Sequence, residues 1–571
     1  MCYTIYHPLI GGKEVKKVRL GVYGAATLLL ALYVFVESVN LSPFYSEGAI
    51  FWALVISLYV LIWALFHFGE FTFQRLEAGV SGAQRPFNYV PKRKFPKFVK
   101  FIIAAPWAFL AIMMVLSSPL ISWGAYRDQL GEVQEREFSS DIQAVDMSQV
   151  PIVDQNLAYN LANKKLGEKP SLGSQVVLGE PTIQMVDGKL IWAVPLQHSG
   201  FFKWLTNMSG SAGYITVSAT NVNDVSYVED YKIKIQPGSY LLHDLKRNVR
   251  FGGALFEGIV DYSFELDDNG QPYWVVSTYR NRRGFALPEA TGVIVVNATT
   301  GEKEKYSIAD VPEWVDRVQP EEFILNQINN QGAYVHGIFN FADKDKFRQS
   351  EGHNIVYNGG NCYLFTGLTS VGRDESAIGF MMVDMVTKEP IRYQINGATE
   401  DMGQRSAEGK VQNLKYDASF PIIINLDGQP TYFMTLKDNA GLIKQYAFVS
   451  VVNYSTVGTG ETIADARRDY SQALRNGGSS AALQESDEVE KATGAVLRIA
   501  SEQSEKQEIY KLILDSKQDV IFIADSTVSD ELAITREGDR VTLEYVETGD
   551  GVIHAVSFDN LEFTQKQADN G

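Results

Sequence analysis

Three apolar runs near the N-terminus restrict what this chain can fold into more tightly than any other feature. Residues 20–36 read LGVYGAATLLLALYVFV, residues 48–68 are rich in Trp, Leu and Ile, and residues 101–121 form the third run. At a rise of about 1.5 Å per residue, each is about long enough for a hydrocarbon layer of about 30 Å. Backbone in lipid must satisfy its own hydrogen bonds, so the runs predict transmembrane helices at about 18–39, 48–68 and 101–122. Pro106 and Pro119 are expected to kink or end the third, and Trp123 falls where an interfacial aromatic belt would hold it. Lys13, Lys16, Lys17 and Arg19 form a basic leader, but the first run ends in VESVNLSPF without a small-x-small cleavage site. Two further runs follow it, so an uncleaved anchor is expected.

Basic residues set the expected orientation. The leader carries four, the turn from Glu37 to Glu47 none, and the 69–100 loop seven: Arg75, Arg85, Lys92, Arg93, Lys94, Lys97 and Lys100. Positions 127–146 hold two basic and six acidic residues. By the positive-inside rule the N-terminus and the 69–100 loop are cytoplasmic, and everything after about residue 124 is extracytoplasmic. The cluster Lys92, Arg93, Lys94, Lys97 and Lys100 reads as a topogenic stop and as a surface for anionic lipid.

The chain as a whole is acidic, with a net charge of −17, which disfavours nucleic acid as a general partner. Two cysteines, Cys2 and Cys362, provide neither a disulfide framework nor a four-Cys zinc site. The seven histidines include no pair at helical metal-site spacing, although His336 and His353 are distant enough in sequence to meet in space.

Beyond residue 124 a loose unit recurs four times. A first hairpin turns at a tip glycine, in TIQMVDGKLIWAVPL, FELDDNGQPYWVVSTY, NIVYNGGNCYLFTGL and IIINLDGQPTYFMTL, at Gly188, Gly270, Gly359 and Gly428. A second hairpin follows, starting at 213, 292, 379 and 447. Asp-Gly and Asn-Gly supply the positive φ of tight turns, and apolar–polar alternation predicts one buried and one wet face per sheet. Helices are expected at 153–168, with an Asp cap, at 319–332, with a Pro start and an acidic first turn, and at 461–478.

A helix followed by strands reading DNGQPYWVV and GVIVVNATTGE, best seen in residues 255–310, resembles PepSY-type domains. These are small extracytoplasmic modules of bacterial membrane proteins, several of them linked to peptidase inhibition or envelope scaffolding. The resemblance implies an α+β fold of repeated antiparallel-sheet-plus-helix units and carries over no functional residue. The unit at 379 departs from it with Val-Thr-Lys-Glu in place of Thr-Gly-Glu, and those at 213 and 447 are looser.

Residues 477–492 are small, polar and charged and read as a linker. From 493 to 562 the strand pattern is similar to small OB-type or SH3-like barrels. With 6 Lys/Arg against 14 Asp/Glu between 493 and 560, its charge is wrong for a phosphate track. The expected organisation is a membrane anchor (1–124), two pairs of units (125–310 and 311–476), the linker and the barrel.

No nucleophile elbow, zinc-protease, Walker or dinucleotide motif is present, and neither a cofactor nor catalysis is expected. Asp261 and Asp267–Asp268 suit paired carboxylates or Ca²⁺, but DDNG reads better as a hairpin tip. SVGRDESAIG (370–379) gathers Ser, Arg, Asp and Glu as loops commonly do. Arg280, Arg282 and Arg283, placed after a strand, form a candidate partner patch. The favoured function is a non-enzymatic envelope protein that binds or scaffolds others, through membrane lipid, envelope partners or self-association. The alternatives are a regulatory or inhibitory subunit of an envelope peptidase and an accessory subunit of a transport complex.

Overall fold

The computed structural model describes residues 12–73, 87–91, 96–142, 150–372, 377–395, 397–426, 428–476, 490–503, 508–525, 528–547 and 553–563. It divides into two compact units, residues 1–478 and 479–571.

Three helices are long and apolar enough to cross a membrane: Lys16–Glu37, Ser46–Phe68 and Lys97–Leu116. The third starts and ends earlier than the hydropathy suggests. Pro119 has no N–H to continue it, and Ser118 instead caps a new helix, Pro119–Arg127, by accepting from Leu120 N. Pro106 is accommodated inside the third helix.

The four recurring hairpin pairs lie in four sheets, each built on an antiparallel meander of four strands taken in chain order, with one extra strand in the first and fourth sheets and two in the third. The first is Thr182–Val186, Lys189–His198, Ser211–Ser218 and Val225–Ile233, and the second is Gly258–Leu266, Pro272–Arg283, Ala286–Asn297 and Lys303–Ser307. The third is Asn354–Asn358, Asn361–Ser370, Ala377–Asp384 and Pro390–Tyr393, and the fourth is Ile422–Leu426, Gln429–Lys437, Ile443–Ser450 and Val457–Gly460. Each has a helix before it: Gln155–Gly167, Leu245–Val249, Glu321–Ala333 and Glu400–Lys410. The expected caps are in place, with Leu157 N donating to Asp154 Oδ1 at 2.9 Å and Pro320 preceding Glu321 and Glu322.

One hydrogen-bonded clasp defines the repeat. The chain entering each unit donates to a carbonyl just past the third strand of that unit's sheet. Ile152 and Val153 donate to Ala219 O, Lys234 and Ile235 to Ala298 O, Val318 and Gln319 to Met385 O, and Ala398 to Val451 O. The accepting residues in turn donate to the start of the second strand, at Leu190, Pro272, Cys362 and Pro430. In the first two units a tryptophan of the second strand reinforces the clasp: Trp192 Nε1 donates to Val153 O and Trp274 Nε1 to Ile235 O, both at 2.8 Å.

The sheets do not have one wet face each. Trp192, Val194 and Ile215 of the first sheet pack with Phe433 and Phe448 of the fourth, while Ala193 and Tyr214 face Phe264 and Trp274 of the second. Val275, Val293 and Val295 on the second sheet's other face meet Val315, Val318 and Val386, the last in the turn of the third sheet's second hairpin. Phe365, Phe380 and Tyr393 of the third sheet pack with Phe420 and Ile423 at the start of the fourth. The sheets thus pack in succession, the second against the approach segment and hairpin turn of the third, and the fourth returns to the first. Middle strands buried on both sides need near-continuous apolar runs, which explains sequences such as GVIVV and GFMMV.

In residues 479–571, five strands form a closed sheet in the order Glu490–Gln503, Glu508–Leu514, Lys517–Asp525, Ile553–Asn560 and Arg540–Glu547. The last of these pairs back onto the first. Its core includes Leu512, Phe522, Leu543 and Tyr545.

Candidate functional site

The first strand of each sheet pairs with only one neighbour along its length, so its other edge needs partners from elsewhere. Side chains provide them. Gln184, on the first strand of the first sheet, takes the place of a strand against the second: Leu266 N donates to its Oε1 at 3.0 Å and its Nε2 donates to Leu266 O at 3.4 Å.

Around this contact lies a buried group of ionisable residues. Glu265 is fully buried and accepts from Ser263 Oγ at 2.5 Å and from Asp316 N at 3.0 Å. Asp316 Oδ2 accepts from Met185 N at 3.0 Å and from Tyr357 OH at 2.8 Å, so one carboxylate ties the first and third sheets to the approach segment of the third unit. Arg317 Nη1 pairs with Glu321 Oε1 at 3.0 Å, and His353 Nε2 meets Glu321 Oε2 at 2.8 Å. Tyr357 OH and Arg317 Nη2 also reach Ile183 O, at 3.3 Å and 3.4 Å.

Burial, reinforced by Asp316, pushes the Glu265 carboxyl up to about 8, so it is largely protonated at neutral pH. Burial also raises Asp316. For Glu321, burial opposes ionisation, but the His353 hydrogen bond and the Arg317 charge outweigh it and the pKa falls. The group therefore separates into a neutral carboxyl, Glu265, and an ionised one, Glu321, compensated by Arg317.

This arrangement suits holding better than reacting. Both carboxyl oxygens of Glu265 and of Glu321, and Oδ2 of Asp316, are occupied by protein donors, whereas nucleophilic or acid–base work needs a free partner facing bound substrate. Two cavities of about 540 and 390 Å³ lie elsewhere, one beside Arg127, Val335 and Arg392 and the other beside Lys169, His198 and Tyr227. Among the described residues no group of three or more His, Cys, Asp or Glu is placed to hold a metal ion. His336 pairs with Asp345 rather than meeting His353.

Of the residues singled out from sequence, His353 falls in this group and Asp261 lies near enough to feel the charges of Arg317 and Glu321; the others lie elsewhere. Lys92, Arg93 and Lys94 fall outside the described residues, whereas Lys97 and Lys100 are exposed in the first turn of the third long helix. Arg280, Arg282 and Arg283 do not follow a strand but belong to one, because a register shift after Thr278 lets Pro272–Arg283 and Ala286–Asn297 stay paired to the hairpin tip. All three are exposed, and Arg282 has Glu289 at 3.5 Å. That tip seats on the third helix, where Phe285 N donates to Ser117 Oγ at 2.7 Å. Asp267 is the expected turn residue, its Oδ1 accepting from Asn269 N and Gln271 N at 2.9 Å. Arg373, Asp374, Glu375 and Ser376 of SVGRDESAIG lie outside the described residues.

The sequence reading missed the buried group because its members come from four separate segments. Besides His353, the available signal was Glu265 itself, an acid between Phe264 and Leu266 in the strand GIVDYSFEL.

Neither a family model nor a curated protein matches this chain. Among solved structures, a mutant levansucrase from B. megaterium is 9% identical over 72% of this chain and 96% of its own, with a TM-score of 0.18. An alpha-L-arabinofuranosidase from Lactobacillus brevis is 8% identical over 67% of this chain and 96% of its own, with a TM-score of 0.16. A mutant apocarotenoid oxygenase from Synechocystis is 10% identical over 67% of this chain and 65% of its own, with a TM-score of 0.14. Likenesses this low place the chain in no family and say nothing of its activity.

Proposed function

We propose that this chain is a membrane-anchored scaffold of a bacterial envelope. Its four units are PepSY-type modules on the extracytoplasmic side, and its C-terminal sheet is an OB- or SH3-type barrel for protein contact. The observation carrying this reading is the use of the converging acids, Glu265, Asp316 and Glu321, as internal fasteners between sheets. A protein whose best-placed chemical groups are spent on holding repeats together offers surface, and surface suits binding. The basic leader and the acidic stretch after residue 124 support an exterior location.

Two measurements test it. Crosslinking in native membranes followed by mass spectrometry should recover other envelope proteins or a second copy, and recovery of monomer alone rejects the scaffold. An impermeant thiol reagent on intact cells should label Ala500→Cys and spare Asn88→Cys, and the reverse pattern rejects the orientation.

A further inference from the structure

The contacts between the second unit and the first long helix define a surface with its own occupant. Helix Lys16–Glu37 is 22 residues long, about 33 Å at 1.5 Å per residue, so its last turn lies at the edge of a hydrocarbon layer of about 30 Å. That turn is held by Arg247, whose Nε donates to Phe35 O at 2.8 Å and Nη2 to Val36 O at 2.9 Å. The same guanidinium donates through Nη1 to Leu241 O at 2.8 Å. The ring of Phe251 lies 5.5 Å from that of Phe35. Leu41, just past the helix, donates its N–H to Leu255 O at 2.8 Å. One residue before Leu241, the Tyr240 ring stands 5.0 Å from Phe201, which opens the short helix Phe201–Thr206.

Large apolar side chains point outward along this path. Phe202 is 77% exposed, Phe256 60%, Leu241 57%, Leu242 51%, Leu205 49% and Phe251 40%. Water does not favour such a grouping, and a soluble surface would scatter them. Leu241 also has φ +50, a left-handed conformation that branched residues rarely adopt, and it is held there with its side chain exposed. Trp204, between Phe202 and Leu205, points inward and donates to His243 Nδ1 at 3.0 Å, so the short helix buries one large ring and presents Phe202 and Leu205 outward.

We infer that Phe202, Leu205, Leu241, Leu242, Phe251 and Phe256 form a bilayer-contact surface, immersed at the boundary between headgroups and acyl chains where the first helix leaves the membrane. The occupant is lipid because the surface continues that of a membrane-spanning helix, through Phe35 and Val36, at the same depth. Lys246 and Arg247 add positive charge beside it, as interfacial segments commonly do. The inference rests on the reading that the three long helices cross a bilayer.

The test uses the full chain in phospholipid nanodiscs with Cys2→Ser as background, Cys362 being buried. Single variants Leu28→Cys, Phe202→Cys, Phe256→Cys and Tyr454→Cys carry a fluorophore, read against lipid-attached nitroxides at shallow and deep positions and against water-soluble iodide. Labels at 202 and 256 should be quenched several-fold more by the shallow nitroxide than the label at 454, and that at 28 by the deep one. If 28 is quenched by lipid while 202 and 256 respond only to iodide, the surface is in water and the inference fails while the spans stand. Shielding of 202 and 256 from both quenchers puts a protein there and also overturns it. Loss of lipid quenching at 28 overturns the spanning reading and the inference together.

Discussion

Glu265 illustrates how a single residue sets a property of the whole fold. Its carboxyl is pushed from an ordinary 4.5 to about 8, so the folded chain holds a proton there that the unfolded chain releases. The resulting stability is fully present below about 4.5 and is lost as pH rises to about 8, opposite to a carboxylate held in an ion pair. Glu265→Gln keeps an acceptor for Asp316 N and cannot ionise. Its thermal unfolding temperature should match the parent at pH 5 and exceed it by several degrees at pH 9, as followed by pH-resolved calorimetry. A parent that gains on the variant as pH rises would refute the assignment. This residue was partly legible, as an acid between Phe264 and Leu266, but its partner Asp316, and Tyr357 beyond it, are brought in by the packing of the sheets, which no local pattern announces.

At the level of elements, the third strands explain why one glycine returns. Gly213, Gly292 and Gly379 each stand six residues before a clasp acceptor, with φ of +73, +149 and +135. A Cβ added at them would come within 1.9 Å of Val228 O, 2.0 Å of Tyr306 O and 2.2 Å of Tyr393 O, all backbone atoms of the fourth strand. Gly292→Ala should therefore cost about 3 kcal/mol, high for a point change, whereas Gly24→Ala, with nothing within 4 Å, should cost nothing measurable. Chemical denaturation of both variants checks this. In the fourth unit the equivalent position is Gln445, which accounts for the weaker match of that repeat in sequence. The repeat was legible because turn glycines and apolar runs survive divergence. The doubly buried faces were legible in principle as well, since VIVV and FMMV do not alternate, yet a run of four does not tell which sheet will cover it.

The end of the first long helix makes a second case at this scale. Lys246, Arg247 and Arg250 donate to carbonyls between Phe35 and Ser38 that the helix cannot satisfy itself. Arg247→Ala should raise amide hydrogen exchange in residues 247–258 by roughly tenfold, corresponding to about 1.4 kcal/mol, and leave the third helix unchanged. Equal exchange in both proteins would show that the cap holds nothing.

Across the whole molecule, anchor and repeats form one compact unit and residues 479–571 another. Residues 479–571 expressed alone should unfold in one cooperative transition, and residues 1–478 should keep the parent's transition without them, as read by calorimetry of the two pieces. Loss of cooperativity in either would contradict the division. The anchor was the most legible part of the chain, because lipid imposes length and polarity on contiguous residues. The clasp was the least legible, because it joins backbone groups and leaves no composition behind. One further element follows from neither pattern: Gln134–Arg136, just past the membrane helices, forms the outer strand of the third sheet in parallel with Pro390–Tyr393. During synthesis this strand emerges early and waits for a partner made only after two complete sheets have followed. The third sheet therefore closes late, and a ribosome stalled before residue 390 would leave a chain already anchored but with an open edge, the state in which a holding chaperone has most to protect.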